Sequence, residues 1–125
     1  MDFAEGQLAE LSLAAVAHAR FAHGCEIGES NFAIADQILN KERLAPDRSS
    51  VETLAACYGA WIGSWANNQL DASWTGLHES QSPRLEVGGV ICSPIDAVRR
   101  LLTSPESAVP LASLALAMRS WSDEA

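Results

Sequence analysis

A helix that contains two glycines one turn apart is the feature that most constrains how this chain can fold. The segment Ser49–Glu52 matches the capping box, in which a serine caps the helix and a glutamate reaches back to the cap amide, and predicts a helix of about twenty residues. Gly59 and Gly63 fall inside it, where each glycine costs about 1 kcal/mol relative to alanine. We therefore expect another element to pack tightly against this backbone, and the helix to be the buried centre of the domain. Its large apolar positions are Leu54, Tyr58, Trp61, Ile62, Trp65 and Leu70.

The N-terminal part of the chain predicts two further helices. Apolar residues recur at helical spacing within about residues 3–23, and Gly24 follows where a C-terminal stop is expected. A second helix is predicted over Asn31–Arg43, with Ser30 as its N-cap and Pro46 as the break after it. The predicted buried positions are Leu8, Leu11, Ala15 and Ala22 on the first helix, and Phe32, Ala35, Ile38 and Leu39 on the second.

The pattern changes to strands after residue 72. Residues 74–77 suit a strand, residues 80–83 suit a loop, and Leu85–Val87 alternates apolar and polar residues. Gly88 and Gly89 then precede Val90–Cys92, and such a glycine pair between two strands is typical of a hairpin because both residues can adopt positive φ. We expect an antiparallel sheet of about three strands.

Two helices are predicted at the C-terminal end. Ser93 and Pro94 have the residue types of an N-cap and a first helical position. A last helix is predicted over about Val109–Trp121, and residues 122–125 are expected to fray. The chain is thus predicted to form a single domain, residues 1–125, of the α+β class: N-terminal helices and a central Gly-containing helix pack on the small sheet, and two C-terminal helices follow.

Charge and cysteine content restrict the classes of partner and compartment. The chain has 125 residues and a formal charge of −8, which disfavours nucleic acid because phosphate binding needs clustered Lys and Arg. No run approaches the roughly 18 apolar residues of a membrane span, and no basic, apolar leader opens the chain. Three widely spaced cysteines do not form a disulfide framework. We expect a cytoplasmic protein that binds neither nucleic acid nor membrane.

No catalytic or metal-binding pattern is evident in the sequence. His18 and His23 are five residues apart, whereas helical zinc pairs are four apart, and Cys25 has no residue to orient a partner base. His78 and Glu79 are neighbours on a predicted strand, where adjacent side chains point to opposite faces. Two more cysteines, at positions 57 and 92, have apolar surroundings typical of core residues. We expect no catalytic residue, no metal and no cofactor.

Acidic residues are concentrated in the N-terminal third. Residues 1–42 contain seven carboxylates against only Arg20 and Lys41, which predicts either a solvated face or a docking surface for a basic partner. Trp121 lies close to the end of the chain, and an exposed tryptophan there would be a binding anchor. The candidate partner-binding residues are Glu26, Glu29, Asp36, Glu42 and Trp121.

The central and C-terminal segments resemble a loosely defined group of small uncharacterised bacterial domains. The resemblance rests on Tyr58–Gly63, Trp74, Pro83, Ser93–Val98 and Leu101-Leu102, and covers about residues 50–103. In that group, a helix with glycines four apart is followed by a tryptophan on a strand and by a Pro-initiated helix. Members are often encoded beside secreted toxins as immunity proteins, so the resemblance implies a cytoplasmic inhibitor. Ser64 stands where many relatives have an acidic residue, and no functional residue can be carried over.

Our leading functional hypothesis is a non-enzymatic immunity protein that neutralises a bacterial toxin by binding it through an acidic surface. A chaperone or adaptor for a secreted effector is the alternative, and it would bind an unfolded segment of its client in an apolar groove. A third hypothesis is an enzyme of unrecognised type that uses His18, His23 or Cys25. A homodimer is also compatible with the alanine-rich helical faces.

Overall fold

The computed structural model describes residues 5–45, 50–76 and 83–124. Within these ranges, five α-helices and a short 3₁₀ turn, Pro105–Ser107, accompany a three-stranded antiparallel sheet, which confirms the predicted α+β class. No helix in the described part of the chain has both the length and the apolar character needed to cross a membrane. The elements in chain order are α1 (Glu5–His23), α2 (Phe32–Leu44), α3 (Val51–Gln69), β1 (Ser73–Thr75), β2 (Arg84–Val87), β3 (Val90–Cys92), α4 (Pro94–Thr103) and α5 (Leu111–Glu124).

Helix α3 is the buried centre, as its glycines predict. A Cβ added at Gly59 would lie 2.6 Å from the Cα of Ile95, the second residue of α4. A Cβ added at Gly63 would overlap the ring of Trp74 on β1. Each glycine therefore lets a different neighbour approach the backbone of α3. Along with α1 and α4, these contacts bury eleven of the nineteen residues of α3, and its large apolar side chains belong to one continuous core cluster.

The predicted capping box of α3 is wrong in its register. Ser50 is the N-cap, and its Oγ accepts a hydrogen bond from the amide of Thr53 at 3.0 Å, whereas Ser49 lies outside the described residues. Glu52 does not return to the cap, because Arg99 of α4 donates to both of its carboxylate oxygens, at 2.9 and 2.8 Å. Arg99 also contacts Asp96, so it links the starts of α3 and α4.

Two details of the N-terminal helices differ from the prediction. Ala22 is exposed, and Ala19 is buried instead. Ala22 comes two heptads after Leu8, and in a straight helix this spacing rotates its side chain about 40° away from the direction of Leu8. Asn31, not Ser30, caps α2, since residues 28–30 form a turn and the Asn31 side chain accepts from the Ile34 amide at 3.4 Å. The predicted stop after α1 is confirmed by Gly24, which has a φ of +64°.

The sheet follows the predicted hairpin. Its strand order is β1-β2-β3, and Val87 pairs with Val90 across Gly88 and Gly89, both of which have positive φ. Ser93 caps α4 and Pro94 begins it, as predicted. The predictions for positions 77–82, which include His78 and Glu79, lie outside the described residues.

The last helix begins two residues later and ends three residues later than predicted, and its start is capped by a residue from α2. Of the predicted fraying residues, the described ones, 122–124, continue α5, and the Ser122 hydroxyl donates to the carbonyl of Leu70 at 3.1 Å. At the other end of α5, the amides of Leu111 and Ala112 donate to the two carboxylate oxygens of Asp36, at 2.7 and 3.0 Å. Asp36 therefore joins α2 to α5. Burial raises its pKa, and the two amides partly offset this rise.

Replacement of this capping carboxylate should loosen α5. We expect Asp36→Ala to lower the free energy of unfolding by about 1–2 kcal/mol, because two amides lose their acceptor. Asp36→Asn is the matched control: it keeps one side-chain oxygen without the cost of burying a charge, so its effect should be smaller. Urea denaturation followed by circular dichroism measures both. Equal stability of Asp36→Ala and the unmodified protein would contradict the capping role.

Candidate functional site

A row of aromatic side chains runs along one side of α3 and connects two places of functional interest. Tyr58, Trp61 and Trp65 follow one another at helical spacing, and Phe32 of α2 packs between the two tryptophans, with ring centroids 5.3 and 4.8 Å away. The indole N–H of Trp61 donates to the carbonyl of Gly28 at 2.7 Å, which holds the α1–α2 turn against α3. One end of the row, at the buried Trp65, borders two surface hollows, and the other ends at Tyr58 in a cluster of polar groups.

At the Trp65 end, two hollows share the tryptophan as a common wall. One lies between α1 and α3, has a volume of about 310 Å³, and is bordered by Leu13 and Glu29. The other lies between α2 and α5, has a volume of about 380 Å³, and is bordered by Phe32 and Leu116. The turn between α1 and α2 contributes to both: Gly28 and Glu29 line the first hollow, and Ser30 and Asn31 line the second.

The rims of these hollows carry exposed leucines. Leu13 is 70% exposed and Leu116 is 69% exposed, whereas Trp65 between them is buried. The guanidinium of Arg119 lies 5.5 Å from the centroid of the Trp65 ring, a cation–π distance. We define the Trp65 face as Leu13, Glu29, Phe32, Trp65, Leu116 and Arg119.

The five predicted partner-binding residues do not share one surface. Glu29 is exposed on the Trp65 face, and Glu26 is exposed but paired with Arg20 through two hydrogen bonds of 2.7 and 2.9 Å. This pairing lowers the pKa of Glu26 and raises that of Arg20. Trp121 is half-buried and packs against the core. Their role in binding stays a prediction.

Two of the acidic residues, Asp36 and Glu42, do not lie on a solvated face. Asp36 is half-buried at the start of α5, and Glu42 is only 7% exposed. The reason is helical periodicity: Ala35, Ile38 and Leu39 form the buried stripe of α2, and Glu42 is the next position of that stripe. A carboxylate in this place needs polar partners, which α1 supplies.

His18, His23, Glu42 and Tyr58 form a polar cluster at the other end of the aromatic row. The His18 Nε2 atom lies 2.7 Å from the Glu42 Oε1 atom, and its Nδ1 atom lies 2.8 Å from the Tyr58 hydroxyl. His23 Nε2 lies 3.5 Å from the same Glu42 oxygen. An ionised carboxylate only accepts, so this contact needs a proton on His18 Nε2; in a neutral imidazole Nδ1 then accepts from the Tyr58 hydroxyl. Burial and then the Glu42 charge raise the pKa of Tyr58 well above its usual range.

Sequence reasoning missed this cluster because it compared His18 and His23 only with each other and with the neighbouring Cys25. The third group, Glu42, comes from a different helix and lies 24 positions after His18. A signal was nevertheless present, since a glutamate on the apolar stripe of α2 is a charge that must find a buried partner. Two histidines near the end of the adjacent helix were the natural candidates.

The cysteines have no activating contact in the described part of the chain. Cys25 donates its thiol hydrogen to the backbone carbonyl of His23 at 3.3 Å. Burial raises the pKa of Cys57 and raises that of Cys92 to about 11. A thiol with a raised pKa is a poor nucleophile at neutral pH, because the thiolate is the reactive form.

Comparisons with known proteins identify no relative. No family model matches the chain, and neither a curated protein nor a solved structure shows significant similarity to it.

Proposed function

We propose that this chain is a non-enzymatic protein-binding module that holds a folded, basic partner on the Trp65 face. Its most concrete form is an immunity protein that neutralises a bacterial toxin in the cytoplasm. The observation that carries the proposal is the pair of exposed leucines, Leu13 and Leu116, on either side of two hollows that share Trp65.

The apolar part of the Trp65 face supplies binding energy. Scattered exposed apolar residues are common on soluble proteins, but a group arranged around concave surface is typical of an interaction site. Burying a leucine side chain contributes about 1.5–3 kcal/mol. Tryptophan and arginine are the residue types most enriched at interface hot spots, and Trp65 and Arg119 are already packed together here. The face is thus preorganised for a partner.

Charge favours a basic partner. The net charge of −8 attracts a basic protein at long range and speeds its capture. On the face itself, Glu29 lies on the rim of one hollow and Arg119 on the rim of the other, so the two charges also fix an orientation. We expect a basic group of the partner opposite Glu29.

The shape of the hollows favours a folded partner over an unfolded client. Each volume is at the small end of the range for ligand pockets, which gives room for one or two projecting side chains. An adaptor for an extended segment would instead need a long continuous groove. Neither hollow is lined by His18, His23 or Cys25, so neither is a catalytic pocket for these residues.

A pair of double variants tests the face. The partner is the folded product of the neighbouring gene, and binding is measured by isothermal titration calorimetry. Leu13→Ser with Leu116→Ser should weaken binding by at least about 100-fold, since two buried leucines are lost and each 1.4 kcal/mol is tenfold. The matched control is Ile91→Ser with Val109→Ser, which removes two other exposed apolar side chains and should leave the affinity unchanged.

Three outcomes would contradict the proposal. The first is equal affinity of the two double variants. The second is binding to an unfolded segment of the partner only, which would favour the adaptor. The third is a stable homodimer that the Leu13/Leu116 variant dissociates, since a second copy would then occupy the face. Protection of cells that express the neighbouring product, lost in the same variant, is the expected biological result.

A further inference from the structure

The polar cluster beneath α1 has the composition and spacing of a metal site. We propose that His18, His23 and Glu42 bind one Zn²⁺ ion through the two Nε2 atoms and a carboxylate oxygen. A ligand atom from each of the three residues lies within 4.8 Å of the others. This site is separate from the Trp65 face, and the inference does not depend on the proposed function.

The distances in the cluster fit a zinc ion with small side-chain movements. Bonds of about 2.0–2.1 Å in a tetrahedron place neighbouring ligand atoms about 3.3–3.5 Å apart. His23 Nε2 and Glu42 Oε1 already have this separation, at 3.5 Å. His18 Nε2 is closer to the same oxygen, at 2.7 Å, so these two atoms would have to move apart by about 0.6–0.8 Å.

Tyr58 supplies a second, independent feature of a metal site. A histidine that binds a metal through one ring nitrogen almost always hydrogen-bonds a fixed group through the other. The hydroxyl of Tyr58 occupies this place, 2.8 Å from His18 Nδ1, on a side chain that is fully buried. Zinc binding through Nε2 requires the His18 tautomer that carries its proton on Nδ1, which donates to the Tyr58 oxygen, and the Tyr58 hydroxyl hydrogen must turn away from the ring.

Burial explains why a cation would be favoured here. The side chains of His18, His23 and Glu42 are 19, 15 and 9% exposed, so the site is shielded from water but still reachable. A carboxylate in such a place is costly unless a positive charge or several donors compensate it. Two imidazoles and one carboxylate are a known zinc ligand set, and three protein ligands leave a fourth position open. The ion would also tie α1 to α2.

Metal titration of the purified protein tests the proposal. After treatment with a chelator, the protein is titrated with Zn²⁺ by calorimetry and with Co²⁺ by visible absorption. We expect one Zn²⁺ per chain, a tetrahedral Co²⁺ spectrum, and a melting temperature about 10 °C higher at free zinc 100 times the Kd. His23→Asn should weaken binding by at least about 100-fold with little change in the fold, because His23 makes the longest contact in the cluster.

Two further variants separate a metal site from a structural cluster. Tyr58→Phe leaves all three ligands in place and should weaken zinc binding by about 10- to 100-fold. Cys25→Ser, two residues from His23, is the matched control and should bind zinc normally. The proposal is overturned if zinc does not bind at about 100-micromolar concentration, if binding survives His23→Asn, if Cys25→Ser weakens it as much as His23→Asn does, or if Fe²⁺ binds in preference to Zn²⁺.

Discussion

Gly59→Ala should destabilise the protein by about 2 kcal/mol, although alanine is the better helix former. The added Cβ would lie 2.6 Å from the Cα and 2.8 Å from the backbone nitrogen of Ile95. Backbone atoms in the first turn of α4 cannot rotate away, so α3 and α4 must separate. Overpacking typically costs about 1–3 kcal/mol, and a clash with backbone atoms lies at the upper end of this range, so a net loss of about 2 kcal/mol remains after the gain of about 1 kcal/mol in helix propensity.

Gly6→Ala is the matched control for this substitution. Gly6 is also helical, in the first turn of α1, and an added Cβ there would meet no atom within 4 Å. Its effect should range from neutral to about 1 kcal/mol of stabilisation. Urea denaturation gives the free energy of unfolding of both variants. If Gly59→Ala proved as stable as Gly6→Ala, the close approach of α4 to α3 would be refuted.

Glu42→Ala should have a comparable effect, with an unfolding free energy about 2–4 kcal/mol lower when measured in the presence of a chelator. The substitution leaves the Nε2 proton of His18 without its acceptor and opens a cavity in the buried stripe of α2. A hydrogen bond to a charged group contributes about 1.5–3 kcal/mol, and the unpaired buried donor adds to the loss.

Glu29→Ala is the matched control for Glu42→Ala, because Glu29 is an exposed glutamate in the same half of the chain. Its removal should change the free energy of unfolding by no more than about 0.5 kcal/mol. Thermal and urea denaturation of the two variants at one pH are sufficient. Similar stabilities would show that Glu42 is not held in a buried network.

The parts of the fold that sequence reasoning predicted correctly depend on local chemistry. The Gly88-Gly89 hairpin and the Ser93-Pro94 helix start each specify backbone geometry within a few residues, whereas the Gly59/Gly63 spacing indicated a close neighbour without identifying it. Helix N-cap positions were predicted less well, because either of two neighbouring polar residues, such as Ser30 and Asn31, can act as the N-cap. The turn at residues 28–30 decides between them, and that turn depends on tertiary packing.

The candidate sites were harder to predict because their residues come from distant segments. Asp36 reaches amides 75 and 76 positions later in the chain, and nothing in the local sequence indicates this partner. The exposure of the two leucines of the Trp65 face, however, could have been predicted from the sequence. Leu13 lies outside the buried stripe of α1, which includes Leu8 and Ala15, and Leu116 lies outside the buried stripe of α5. A large apolar residue outside the buried stripe of its helix faces solvent.

The most direct test of the central claim is hydrogen–deuterium exchange on the free protein and on its complex with the folded product of the neighbouring gene. Binding at the Trp65 face predicts slower exchange in residues 9–16, 28–33 and 112–119, and unchanged exchange in the hairpin of β2 and β3. Protection confined to the hairpin or to α4, with no change in these three segments, would contradict the account.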